Sequence, residues 1–267
     1  EDFTCEVKGL DSPMHDGRAL HGIGLAYAMS NRGACHLQHL DLALESNWCA
    51  YPEVGLNGGY VGMSSEGKAD VVCKCENLGM LTNACIICQF NFFALTVTDL
   101  LDMMKSSTGF DYDLEELVAC GERIWMLKRG LNNLMGVTAA DDRLPKRMLT
   151  PFTEGGAAGS LPDMERMLKE YYPLRGLKAQ GRPLKERLSV GLLGSAMYSS
   201  SKEKSWRSPA RRWMTPIGRP CRDTARALLP SRSALIRPRL LFFFGHVVVF
   251  LVLVVVEGVE RLVTAFL

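Results

Sequence analysis

From Gly67 onward, apolar residues recur at helical spacing: Val71, Val72, Cys75, Leu78 and Gly79 fit it, and Ala94–Met104 continues the pattern to a stop at Gly109. The clearest predicted helix runs from Asp113 to about Met135. Asp113 followed three residues later by Glu116 has the spacing of a capping box. Leu114, Leu117, Val118, Ile124, Leu127 and Leu131 mark one broad apolar face, and Gly136 is placed to close the helix. A shorter helix is expected after Ser160, with Pro162 in its first turn and Met164, Met167 and Leu168 facing inward. Residues 1–65 are rich in Gly and turn formers, with short apolar stretches at Leu25–Met29 and Leu40–Leu44 and loop signals at Asn57-Gly58-Gly59. With no run of strand-like alternation, the body is expected to be mainly α and multihelical.

Charge divides the chain. Residues 202–239 hold eleven Lys/Arg against Glu203 and Asp223, a net of +9, and residues 240–267 carry −1. With the whole chain at +2, residues 1–201 must carry −6, so an acidic body precedes a basic tail. The domain division expected is 1–193 and 194–267. The run Leu240–Val256 is heavily β-branched, interrupted by Gly245 and His246, and 17 residues long. That is short of the ~20 apolar residues of a membrane helix. Two readings of the tail stay open: a membrane anchor with a basic flank, or an extension that is not a selected protein segment. Trp206 and Trp213 lie in the basic run without a recognisable nucleic-acid motif, so no nucleic-acid partner is assigned. The nine cysteines are odd in number and no secretory signal precedes them, which points to a reducing cytoplasm. Glu1 is not an initiator Met, so the chain is expected to start inside a longer protein or to have been processed.

Three segments carry candidate chemistry. Val7–Leu37 contains His15, His21 and His36, with His39 just beyond; His36 follows the small-residue turn Arg32-Gly33-Ala34-Cys35, which allows close backbone approach. His21 and His36 lack metal-ligand spacing, so zinc is not indicated. In Asn83–Phe90 (NACIICQF), Cys85 and Cys88 form a C-x-x-C, compatible alone with zinc, an iron–sulfur cluster, a redox pair or simple apolar burial. Cys73 and Cys75, two apart on a helix, would point to different faces. Charges in Gly121–Arg147, including Asp141-Asp142-Arg143, are expected to be a solvated face and loop contacts.

Taken together, the order VKGLD…HDGRA…GLAYAMSNRGACHL, EGKADVV…NACIICQF, TGFDYDLEELVACGERIWMLKRGLNNLMG…DDRLPKR and MLKEYYPLRGL resembles the C-terminal, helical part of the aldehyde ferredoxin oxidoreductase family, over about 190 residues. The resemblance implies a tungsten (or molybdenum) ion held by two pterins beside a [4Fe–4S] cluster, an aldehyde oxidised to a carboxylic acid, and ferredoxin as the electron-accepting partner. One relative in that family instead reduces aromatic thioesters. The resemblance places His36 beside the metal as a proton donor or acceptor, Asn83 and Ile87 against a pterin, and Cys88 as a ligand of the cluster. It also marks departures: Asn83 stands for an Asp, Ile86 for a Gly, and His15-Asp16-Gly17-Arg18 for Tyr-Asp-Pro-Arg. The family's N-terminal pterin-binding domain, and its C-x-x-C-x-x-x-C segment that supplies the other three cluster ligands, are not in this sequence. The isolated chain is therefore expected to bind neither cluster nor pterin. The alternative is a non-enzymatic helical protein or gene remnant with a membrane-associated tail.

Overall fold

A computed structural model describes residues 3–187; the boundary expected near Leu193 and the tail beyond it lie outside the described residues. A two-residue antiparallel pair, β1 (Glu6–Val7) and β2 (Leu10–Asp11), opens the chain. Among the described residues the α-helices that build the body are α1 (His21–Met29), α2 (Asp41–Glu45), α3 (Lys68–Ala84), α4 (Gln89–Phe92), α5 (Val97–Thr108), α6 (Leu114–Leu134) and α7 (Met164–Arg175). The mainly α expectation holds. Among the described residues no helix is long and apolar enough to cross a membrane.

Helix α3 is the axis. Its residues are buried along nearly the whole length because α1, α2, α6 and α7 all pack on it, which is why its sequence lacks a single apolar stripe. One side of α3 (Val71, Cys75, Leu78) joins Leu44, Phe92 and Leu117 in one apolar cluster. The other side (Ala69, Val72, Met80) joins Leu25, Trp125 and Tyr171 in a second. Cys75 lies in the first and Cys73 packs against the second, so the two thiols do point to different faces. Burial raises both thiols' pKa values, Cys73 to about 12, which makes them inert apolar groups rather than nucleophiles.

Helix α6 departs from its apolar pattern. The buried positions are Leu117, Gly121, Trp125, Met126 and Arg129, while Leu131 is 47% exposed. Two of the five are residues that a hydrophobic template excludes. Gly121 is buried because α3 crosses there: a Cβ would lie 2.2 Å from the Asn77 carbonyl oxygen. Arg129 is buried because Asp142 receives it through two bonds, at 2.7 and 2.5 Å, and Gly181 O accepts from its Nε at 2.8 Å. Asp142 also takes Lys8 at 2.9 Å and the Tyr172 hydroxyl at 2.7 Å. The expectation of a solvated face for these charges is thus wrong at Arg129 and Asp142, whose side chains are fully buried. Asp113 caps α6 by accepting from Glu116 N at 2.8 Å, the forward half of the box. Full reciprocal boxes are formed by Thr96 and Asp99 at α5 and by Thr138 and Asp141 in the loop after α6.

A second buried polar group joins α3 to α7. Arg175 contacts Glu76 at 2.7 Å, Asn77 Oδ1 at 2.5 Å and the Tyr171 hydroxyl at 3.0 Å, with its guanidinium 4.7 Å from the Trp125 ring centre. At the start of α1, Glu45 accepts from the backbone N–H groups of Gly22 and Ile23 at 3.2 and 3.1 Å and pairs with buried Lys68. A carboxylate there satisfies otherwise orphaned helix donors.

Candidate functional site

The turn between α1 and α2 carries His36. Gly33 holds φ +100°, and a Cβ there would sit 2.4 Å from Val7 O. The close approach that this small-residue turn permits is therefore to the chain's own hairpin. Asn31 fixes the turn to α6, donating to Trp125 O at 3.1 Å, while its carbonyl accepts from Asn132 at 2.6 Å. On this support His36 is half-buried, and its Nδ1 is buried with no hydrogen-bond partner among the described residues. Burial lowers the imidazole's pKa, and neighbouring His15 and His39 lower it further. At neutral pH His36 is thus an uncharged base with an unspent ring nitrogen.

The side chains that hold this turn come from the last turn of α3 and the first residue of α4. Asn83 donates to Leu37 O at 2.8 Å and to Gly79 O at 2.7 Å, and its Oδ1 accepts from Gln38 at 3.3 Å. Gln89 donates to Leu37 O at 3.0 Å and to His39 O at 3.1 Å. Two amide side chains therefore clamp the His36 turn to the C-x-x-C loop at one carbonyl. Lys128 of α6, its pKa lowered by burial, donates to Gln38 Oε1 and closes the cluster. The sequence reading brought His36, Asn83 and Cys88 to one place but missed Gln38, Gln89 and Lys128. Gln89, next to Cys88, was the only one of these with a positional signal.

The C-x-x-C does not act as a pair. Cys85 Sγ lies 3.2 Å from Met104 Sδ and packs against the core, where burial raises its pKa. Cys88 is exposed and caps α4. Ile87 packs its side chain against the first apolar cluster and donates its N–H to Thr82 O at 2.9 Å. No group of three or more His, Cys, Asp or Glu able to hold a metal occurs among the described residues. Cys88 can offer one thiolate to a cluster, and any further ligands must come from elsewhere. Asn83 Oδ1, with one bond accepted and one lone pair left on an exposed side chain, can still accept from a ring amine.

His21 stands apart from this site. Its Nδ1 lies 2.8 Å from Ser65 Oγ and its Nε2 3.0 Å from Ser160 Oγ, which in turn donates to Arg18 O at 2.7 Å. It clamps the starts of α1, α3 and α7 together, a structural role.

Between the two cysteines, Ile86 adopts φ +57° with its side chain 78% exposed. A β-branched residue in the left-handed region costs ~1–2 kcal/mol, and exposure returns little of it. Ile86→Gly should therefore raise the urea unfolding free energy by about 1 kcal/mol. An unchanged or lower midpoint would show that the loop is not strained there.

Residues 1–190 match the family model described as aldehyde ferredoxin oxidoreductase, domains 2 and 3. The tungsten-containing aldehyde ferredoxin oxidoreductase of Thermococcus kodakarensis is 34% identical over 193 residues, covering 70% of this chain and 30% of that protein. The enzyme of the same name from Pyrococcus furiosus is 34% identical over 194 residues with the same coverage. Among solved structures, the active-site complex BamBC of benzoyl coenzyme A reductase, in complex with 1,5-dienoyl-CoA, aligns with a TM-score of 0.47 at 17% identity, over 74% of this chain and 33% of that one. The chain spans about a third of the length of the curated relatives it matches.

Proposed function

The chain belongs to the aldehyde ferredoxin oxidoreductase family, as its second and third domains, and we propose that it forms one wall of a tungsten-pterin site in a cytoplasmic enzyme that oxidises aldehydes to carboxylic acids and passes the electrons to ferredoxin. The observation that carries this reading is the buried Nδ1 of His36, without a partner among the described residues, on a turn clamped to the exposed Cys88 loop.

Oxidation of R–CHO with water yields R–COO⁻, three protons and two electrons. A pterin-held tungsten (or molybdenum) ion would supply the two-electron chemistry, with a [4Fe–4S] cluster as the outlet toward ferredoxin. This chain's own residues supply proton handling and positioning. His36, neutral at pH 7 because burial disfavours its cation, accepts one released proton at the ring. Asn83 would hold a pterin amine through its remaining lone pair while its N–H groups fix Leu37. Cys88 would give the cluster one thiolate. The clamp of Asn83 and Gln89 on Leu37 O keeps the proton acceptor and the thiolate in one frame.

The test joins the full chain to the complementary, pterin-binding part of the Thermococcus relative, co-produced anaerobically with tungstate, and follows aldehyde-dependent reduction of ferredoxin. His36→Ala should lower kcat by about 10²–10⁴-fold, and Cys88→Ser should remove the cluster's EPR signal. A complex that carries pterin and cluster yet reduces no ferredoxin with any aldehyde would sink the proposal. That outcome would favour the second reading, a helical domain that has kept its packing and lost its chemistry. The strained Ile86 beside Cys88 is the observation on its side.

A further inference from the structure

The functional reading leaves out His21, which is buried and hydrogen-bonded through both ring nitrogens. The directions of its bonds follow from the outer ends inward. Ser160 spends its hydroxyl hydrogen on Arg18 O at 2.7 Å, so toward His21 its oxygen only accepts. The ring therefore carries its hydrogen on Nε2, 3.0 Å from Ser160 Oγ. Nδ1 is then the acceptor and takes the Ser65 hydroxyl at 2.8 Å, while Ser65 Oγ accepts from Asp163 N at 2.9 Å. From Asp163 N to Arg18 O every donor meets an acceptor, and the neutral ring is the link that completes the chain. The segments it joins are far apart in sequence. His21 opens α1, Ser65 stands just before α3, and Asp163 caps α7 by accepting from Arg166 N at 3.0 Å.

We propose that this chain of bonds is an acid-released latch: it fastens the entry of α7 to the starts of α1 and α3 while the ring is neutral, and opens when Nδ1 takes a proton. That proton sets an N–H against the Ser65 O–H, donor against donor, so the hydroxyl must turn away or the segments must part. The new charge also has to be buried near Lys68, which pairs with Glu45. The remaining charged groups on the packed segments are engaged elsewhere. Arg18 is held by Asp16, Glu45 also accepts from the N–H groups of Gly22 and Ile23, Asp163 accepts from Arg166 N, and Glu66 faces Arg166. Burial lowers the ring's pKa and Lys68 lowers it further, against an opposing pull from Arg18 O. With the folded value below the unfolded one of about 6.5, the latch contributes its stability above that pH and loses it as the pH falls through the folded value. No step of the aldehyde chemistry uses His21, so the latch stands or falls apart from that reading.

The test follows the full chain by NMR and by urea unfolding between about pH 5 and 8. The His21 ring should titrate below about 6.5, and the backbone amide signal of Asp163, which reaches the ring through Ser65, should move with the same midpoint. The amide of Asp99, in the capping box of α5, is the control and should stay still. His21→Gln keeps one acceptor and one donor but cannot titrate, so in that variant the Asp163 signal should no longer move. From about pH 7.5 to 5.5 the unfolding equilibrium constant of the unaltered protein should rise, relative to the variant, by up to about tenfold. If the variant does not fold, the joint movement of His21 and Asp163 in the unaltered protein decides. A ring that titrates at or above about 6.5, an Asp163 signal indifferent to it, or the same pH dependence in both proteins would overturn the proposal.

Discussion

Asp142→Ala is expected to destabilise the chain by about 3–5 kcal/mol, seen as a large fall in the urea midpoint. Asp142 is the common acceptor for Arg129, Lys8 and Tyr172, and its side chain is fully buried. Burial works against both cations: it lowers the Lys8 pKa, and it opposes an Arg129 pKa that Asp142 nonetheless holds up. Without the carboxylate two buried cations lose their counter-charge and keep only backbone carbonyl partners. Net stabilities of domains are about 5–15 kcal/mol, so this one change takes a large share. Arg129→Met should cost less, because Asp142 keeps Lys8 and Tyr172 and the methionine refills part of the volume. Equal losses, or the reverse order, would show that Asp142 is not the hub.

The second large effect is expected at Gly121. An Ala there gains roughly 1 kcal/mol of helix propensity. Against that, its Cβ would lie 2.2 Å from Asn77 O and 2.8 Å from Asn77 C, the backbone of α3, which no rotamer change can move. Overpacking of this kind costs about 1–3 kcal/mol or more, and here the displaced residue also holds Arg175. The clash therefore wins, and Gly121→Ala should lower the unfolding midpoint clearly. Gly156→Ala, where a Cβ meets nothing within 4 Å, is the control and should stay within about 0.5 kcal/mol. Equal behaviour of the two variants would contradict the tight crossing of α3 and α6.

These two positions also show where the sequence stops being informative. Helices α3, α5, α6 and α7 are legible because their apolar spacing and their stops at Gly109 and Gly136 are local properties. The buried face of α6 is not. Arg129 counts as polar until Asp142, thirteen residues away, is known to meet it, and Gly121 counts as a weak helix former until α3 crosses it. The same holds at the candidate site. His36 and Cys88 stand out by residue type, whereas the clamp at Leu37 is made by two ordinary amides, Asn83 and Gln89, bonding to a carbonyl 46 and 52 residues away. Only family resemblance drew attention to Asn83, and nothing in the sequence marks its N–H groups as the tie.

The buried contacts of Arg175 set an order for biosynthesis. Glu76 and Asn77 lie on the central helix, and the guanidinium that answers them comes 99 and 98 residues later. While the ribosome is still making α6, the helices around α3 can gather their apolar faces, but a carboxylate and an amide point into a seam whose cation has not yet been synthesised. Until α7 emerges and docks, that carboxylate and amide lack the partner that offsets their burial, so this seam cannot close in its native form before Arg175 is made. Helix α7 thus works as a keystone: a chain stalled or cut before Arg175 would remain open along α3, on which α1, α2 and α6 also pack.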